Sequence, residues 1–299
     1  MTSPEIKKPL VMAEEEKNVC VQSRSRQFIK RFVASRPAMI GLILLAVLVF
    51  SAVFAPALAP FDPYESNLPN SLKPPSGAHV LGTDELGRDI MSRILYGARI
   101  SLLVGVEAVV LALLCGVVLG ATAGFYGGKV DTMIMSVMDV MLSFPSILLA
   151  IAFMTVMGRG VEKAVIAIGI VSIPQYARIV RGSVLSVKEN VYVMAARAIG
   201  NGDRRLIFVH ILPNVMAPII VRATIGISVA ILEAAALGFL GLGVAPPTAE
   251  WGTMLGSGRQ TIFNAPHIVM FPGLAITVTV MAFNLLGDGL RDILDPRLK

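Results

Sequence analysis

Residues 194–214 read MAARAIGNGDRRLIFVHILPN. The stretch is charged, contains two glycines, and lies between two long apolar segments. If those segments cross a bilayer, the stretch is a loop in water. Tyr192 to Ile199 then reads as a helix, since Ala195, Ala196 and Ala198 favour helix and leave a slim surface. Gly200 and Gly202 permit a sharp turn. A second short helix, about 203–210, carries Asp203, Arg204 and Arg205 beside Leu206, Ile207 and Val209. Pro213 is tolerated at the start of the next helix, where its missing N–H does no harm. The pattern predicts a helix–turn–helix ledge tied to the spans on either side. That shape can transmit a push, and its composition also allows a loop resting on lipid.

The rest of the chain supports the membrane reading. Of its 299 residues, 55% are apolar and only 15% charged, where soluble domains carry about 25% charged residues. Mean hydropathy is +0.74. The net charge of +6 is concentrated beside apolar blocks and forms no aromatic-interleaved face, which argues against a nucleic-acid binder. Cys20 lies in a polar tail and Cys115 in an apolar run, so neither a disulfide framework nor a metal knuckle is indicated. The first apolar segment starts too late for a cleaved signal and reads as a retained anchor.

Six stretches can span a bilayer, which takes about 20 residues each: 38–58, 101–125, 132–157, 161–177, 215–242 and 268–288. The fourth is short. The length of the fifth implies a tilt or a break near Gly238. Residues 20–36 hold Arg24, Arg26, Lys30, Arg31 and Arg36 with no acid. The stretch 178–213 holds six basic residues against Glu189 and Asp203, whereas 59–98 holds three against five acids. Excess Arg and Lys marks the cytoplasmic side. Both termini and 178–213 are therefore placed in the cytoplasm, with 59–98 and VAPPTAEWG, 244–252, outside. Three regions follow: a cytoplasmic tail 1–36, a membrane domain 37–290, and a short cytoplasmic tail 291–299. Gly116, Gly120 and Gly124 recur on one helix face and allow close helix approach. Pro145 and Pro174 fall inside spans and predict kinks.

Glu107, Asp139, Arg222 and Glu233 interrupt apolar runs. A charge at the bilayer centre costs about 3 kcal/mol unless paired or hydrated. These four are read either as pore lining and conformational locks, or as buried pairing groups and snorkelling charges. Arg222 and Glu233 lie about 16 Å apart along a helix and must find separate partners. His79, His210 and His267 are scattered and have no metal-ligand spacing. GTDELGRD is not a phosphate loop. No metal site and no ATPase is read in this chain. Residues 82–100 suggest an amphipathic surface helix, with pairs Asp84–Arg88 and Asp89–Arg93 at four-residue spacing. Its apolar face serves as a packing element or as a platform for an external partner. Glu85, Thr248 and an exposed Trp251 are candidate contacts for such a partner.

The opening stretch resembles the coupling motif of ABC importer permeases, E-A-A-x3-G-x9-I-x-L-P. Ala195, Ala196, Gly200, Leu212 and Pro213 match. Met194 replaces the motif Glu, and His210 its Ile. AHVLGTDELGRDIMSRILYGARISL (78–102), AALGFLGLGVAPPTAEWGTML (235–255) and FNLLGDGLRDILDPRLK (283–299) resemble signatures of the dipeptide/oligopeptide/nickel permease group. The resemblance runs from about residue 30 to the end and is nearest the dipeptide and glutathione branches. It implies an all-α fold with six transmembrane helices, the type I ABC importer architecture, in a bacterial plasma membrane (the inner membrane of a Gram-negative cell). It implies a second, homologous permease sharing the pore, two cytoplasmic ATPases that bind ATP and Mg, and an extracytoplasmic solute-binding protein. This chain would hold no cofactor. Nickel or another small solute is the alternative cargo. A secondary transporter would need ion-coupling groups and an internal repeat, which the sequence does not display. A non-transporting scaffold docking through 178–213 is the remaining class.

Overall fold

The computed structural model describes residues 24–294 and is all-helical apart from turns and one isolated bridge. The notable apolar runs become helices because a spanning segment can satisfy its backbone polar groups internally in no other open form. Helix α1 is Arg24–Ala34 and α2 is Arg36–Val53, with Ser35 capping α2 ahead of Pro37. A short turn α3, Ala55–Leu58, follows. Helix α4 runs Ile90–Tyr126 and α5 Gly128–Leu142. Then come α6, Ser146–Met157, and α7, Val161–Lys188. Helix α8 is Val191–Ala198, and α9 runs Asp203–Phe239 with a π-helical turn at Leu206–Ile211. Helix α10 is Trp251–Gly258 and α11 His267–Leu294.

Five of these helices, α2, α4, α7, α9 and α11, are long and apolar enough to cross a membrane. Helices α5 and α6 qualify only as a pair, bent by 90°. The break falls at Ser143–Pro145. Pro145 therefore ends one helix and opens another instead of kinking a continuous span. Pro174 does lie within an unbroken helix, as do Pro218 and Pro272.

Helices α4 and α7 run parallel and pack along most of their length, and the glycine repeat explains how. A Cβ on Gly116 would lie 2.6 Å from Tyr176 Cβ, and one on Gly120 2.3 Å from the Ala177 carbonyl oxygen. Small residues let the backbones meet where apolar burial offers no drive, because lipid is equally apolar. Helix α7 continues eleven residues past the expected end at 177, to Lys188. Its terminal charges are accommodated: Lys188 Nζ donates to the Gly124 carbonyl at 2.9 Å.

The amphipathic helix expected over 82–100 does not form as one element. Residues 83–89 make a compact turn closed by a Thr83–Asp89 bridge, with Gly87 at φ +74°. The Asp84–Arg88 ion pair exists at 2.8 Å, but within this turn. Asp84 also accepts the backbone N–H groups of Leu86 and Arg88 at 2.9 Å. The expected Asp89–Arg93 pair is not made. Asp89 instead caps α4 by accepting from the N–H and the hydroxyl of Ser92 at 2.8 Å, and it meets His79 Nδ1 at 3.0 Å. Arg93 donates to the Pro63 carbonyl. The segment is a buried polar knot that fixes the loop 59–89 on the end of α4.

Candidate functional site

The expected ledge is present, with one change of form. Helix α8 ends at Ala198, and Gly200 reverses the chain at φ +86°, a left-handed conformation that glycine reaches without penalty. Asn201 Nδ2 donates to the Ala196 carbonyl at 2.8 Å and closes the turn. The second arm is not a separate short helix. Residues 203–211 run straight into α9 through the π turn, where Leu212 N–H reaches back to the Ile207 carbonyl. Pro213 lacks an N–H, and its ring would crowd the Val209 carbonyl in a regular α-turn; a wider turn makes room. The His210 carbonyl then accepts from Asn214 Nδ2 at 2.8 Å and from the Tyr192 hydroxyl at 3.3 Å.

The ledge is wedged into the protein by its apolar side. Val193, Ala196, Leu206 and Ile211 are buried in one cluster with Phe125 of α4, Val184 of α7 and Val215 of α9. Arg197 lies over the Phe125 ring. The opposite side is free: Met194, Ala195, Ile199, Asp203, Arg204, Arg205 and Pro213 are exposed. Leu212 and His210 are half-buried. A rigid body with an apolar tip and two adjacent cations can seat in a groove and carry displacement into three long helices.

Four charges were singled out within the spans. Asp139, on α5, pairs with Arg178 of α7 at 2.6 Å, and both side chains are more than half exposed. About two turns nearer the α5 start, Asp131 holds Arg181 in a two-point ion pair, with Arg181 Nη2 donating to Asp131 Oδ2 at 2.6 Å. Sequence reading missed this second pair, because Asp131 lay at the edge of an assigned span and its partner is 50 residues away. Arg222 of α9 donates to Gln175 and lies over the Tyr176 ring on α7. Glu107 is exposed on α4. Glu233 is half-buried on α9, and its Oε2 has no hydrogen-bond partner among the described residues. As expected, Arg222 and Glu233 do not pair with each other.

The candidate contacts for an external partner divide. Trp251 was read as exposed and is 1% exposed. Its indole N–H donates to the Ile94 carbonyl, and its ring fills the notch at Gly97. It cannot offer a surface contact. Glu250 caps α10 by accepting from Gly252 and Thr253 N–H at 2.7 and 2.8 Å, and from the Ser101 hydroxyl at 3.3 Å. Burial pushes its carboxyl above the ordinary value, and the two N–H donors pull part of the way back. Glu85 and Thr248 are half-buried, and Glu85 accepts from the Thr261 hydroxyl at 3.3 Å. No group of three or more His, Cys, Asp or Glu able to hold a metal occurs among the described residues.

Residues 116–299 match the family described as the binding-protein-dependent transport system inner membrane component. Residues 23–75 match the N-terminal transmembrane domain of oligopeptide transport permease C. A dipeptide transport system permease protein of Alkalihalophilus pseudofirmus is 50% identical over 92% of this chain and 90% of its own. A di/tripeptide transport system permease protein of Pseudomonas aeruginosa is also 50% identical, over 92% of each chain. A glutathione transport system permease protein of Pectobacterium atrosepticum is 46% identical over 93% of each. Among solved structures, the inward-facing MetNI methionine ABC transporter aligns with a TM-score of 0.57 at 17% identity, over 69% of this chain and 98% of that one. That likeness concerns the fold alone. Family match, extended identity and shared fold agree, and the chain belongs to the inner-membrane permease family of binding-protein-dependent ABC transport systems.

Proposed function

We propose that this chain is one permease subunit of an ATP-driven importer of dipeptides and other short peptides, glutathione included. The observation that carries the substrate class is the 50% identity, over 92% of the chain, with a permease named for dipeptide transport. A second permease completes the pore. Two cytoplasmic ATPases bind ATP and Mg, and an extracytoplasmic binding protein delivers the cargo. The chain itself is not catalytic. It crosses the plasma membrane six times, with the bent α5–α6 pair as one crossing and both termini in the cytoplasm. The architecture is that of type I importers.

In this reading the 194–213 ledge seats in a groove of one ATPase through Met194, Ile199 and the Arg204–Arg205 pair. Closure of the ATPases displaces the ledge. Its burial against Phe125, Val184 and Val215 passes that displacement to α4, α7 and α9 together. The Asp139–Arg178 and Asp131–Arg181 pairs join α5 to α7 and act as conformational ties, as does Arg222 between α7 and α9. Glu107 and Glu233 face the pore or the second permease. Glu85 and Thr248 are offered to the binding protein.

The test is uptake by the reconstituted four-subunit complex with its binding protein. ATP-dependent accumulation of a labelled dipeptide, competed by unlabelled dipeptides, is expected. Failure to accumulate dipeptides, tripeptides or glutathione, while nickel or another solute is imported, would overturn the substrate class.

A further inference from the structure

A pocket of about 550 Å³ opens between α7, α9 and α11. Ile179, Ala217, Pro218, Val221, Ile225 and Leu294 form apolar walls, and Arg222 and Arg291 supply the polar groups. No carboxylate lines it among the described residues. Two guanidinium groups among apolar side chains, with no compensating acid among the described residues of the lining, call for an anion, and the walls call for a hydrocarbon chain.

The level of the pocket points the same way. Gly287, one turn before Arg291, abuts Ile225, and Gly289 abuts Ala38, two residues after Arg36. Arg222 meets Gln175, which precedes Arg178 and Arg181 by about one and two turns. Arg36, Arg178, Arg181, Arg222 and Arg291 thus form one cationic band around the bundle. Arg178 and Arg181 are committed to Asp139 and Asp131. Arg291 has no ion-pair partner among the described residues. Asp288, on the same helix, lines a different pocket with Leu232 and Met281. Arg222 spends one nitrogen on the neutral amide of Gln175 and faces the Tyr176 ring, and it has no carboxylate partner among the described residues.

We propose that this pocket binds an anionic phospholipid, with the phosphate held between Arg222 and Arg291 and an acyl chain lying along Ala217, Val221 and Ile225. Basic pockets between transmembrane helices on the cytoplasmic side suit lipid headgroups. A zwitterionic peptide fits less well, since nothing in the lining accepts its ammonium group. A free inorganic anion would leave the apolar walls unused. The site is separate from the ledge and does not depend on which solute is carried.

The intact transporter complex, purified into nanodiscs of phosphatidylethanolamine and phosphatidylglycerol and then stripped with mild detergent, provides the test. Lipid that survives is weighed by native mass spectrometry. The wild-type complex should retain phosphatidylglycerol in excess of its share in the disc. Arg291→Gln, at an exposed position, should weaken retention about fivefold, the worth of one cation at an anionic lipid surface. Arg291→Lys should keep most of it. Val221→Trp places an indole across the track of the acyl chain without touching a charge and should abolish retention. A wild-type complex with no enrichment, as when the second permease covers the pocket, overturns the proposal. So does an Arg291→Gln complex that retains lipid as the wild type does. Loss on Arg291→Gln with full retention by Val221→Trp would place the lipid elsewhere and equally overturn it. Dipeptide uptake, scored in parallel, reports on the importer reading independently.

Discussion

The indole N–H of Trp251 donates to the carbonyl oxygen of Ile94 at 3.0 Å, joining two helices separated by 157 residues of sequence. The ring fits because position 97 is glycine: a Cβ there would lie 3.0 Å from Trp251 Cδ1. The contact pins α10 against the start of α4. Trp251→Ala should therefore cost about 3–5 kcal/mol, the usual range for removing a large buried aromatic. Trp251→Phe keeps most of the volume and loses one hydrogen bond, at about 1 kcal/mol. Thermal unfolding of the purified protein in detergent should rank wild type above Phe and Phe well above Ala. Equal melting of all three would mean that the Trp251 contact with α4 does not stabilise the fold.

Asp131 and Arg181 should behave as a coupled pair. Each is only partly exposed, and the geometry is two-point. Neutralising either residue should cost about 2 kcal/mol, the scale of a hydrogen bond to a charged group. The double neutral variant Asp131→Asn with Arg181→Gln should cost much less than the sum, since no charge is left unpaired. A strictly additive cycle would show that the pair does not tie α5 to α7.

Topology can be checked from outside the cell. In a background with Cys20 and Cys115 changed to Ser, Ser76→Cys should react with a membrane-impermeant thiol reagent on intact cells, and Gly202→Cys should not. Both positions are exposed in the fold, so a difference reports sidedness and not burial. The reverse pattern would invert the assigned orientation.

These cases also show what could be read from the chain and what could not. The long apolar segments were legible because hydropathy is a local property, and Gly116, Gly120 and Gly124 declared their packing face by spacing alone. Helix α7 was read too short because Arg178, Arg181 and Lys188 interrupt the apolar run. Their compensation comes from Asp139, Asp131 and the Gly124 carbonyl, none of them near in sequence. Asp84 and Arg88 pair at the spacing expected of a helix, yet the left-handed Gly87 makes that segment a turn. Trp251 sits in a proline-rich stretch that looks like a surface loop. Its burial is set by Ile94 and Gly97, which only the fold brings near. On the ledge, the turn at Gly200 could be read from the residues, whereas the π turn that merges its second arm with α9 could not.

The last prediction concerns that ledge. Gly200 is held at φ +86°, and nothing lies within 4 Å of where its Cβ would be. A substitution there meets no clash, so its cost is backbone strain alone. Asn enters the left-handed region more readily than other non-glycine residues, Ala less so, and a β-branched residue least of all. The series Gly200→Asn, Gly200→Ala and Gly200→Val should therefore show rising loss of coupling at constant side-chain clearance. Strain of about 1–3 kcal/mol is enough for Val to redirect the chain between α8 and α9. Because the turn is solvent-facing and the buried anchors Val193, Ala196, Leu206 and Ile211 are untouched, all three variants should insert and remain folded. Arg204→Glu with Arg205→Glu tests the other property, the charge offered to the partner, and leaves the backbone alone. The readouts are assembly of the four-subunit complex, ATPase activity stimulated by substrate and binding protein, and dipeptide uptake. Val should keep insertion, lose most stimulation and uptake, and bind the ATPases less well. Asn should stay close to wild type, and the charge-reversed variant should lose ATPase association. If Val and the double Glu variant both assemble and transport normally, residues 194–213 do not carry the motion of the ATPases to the pore.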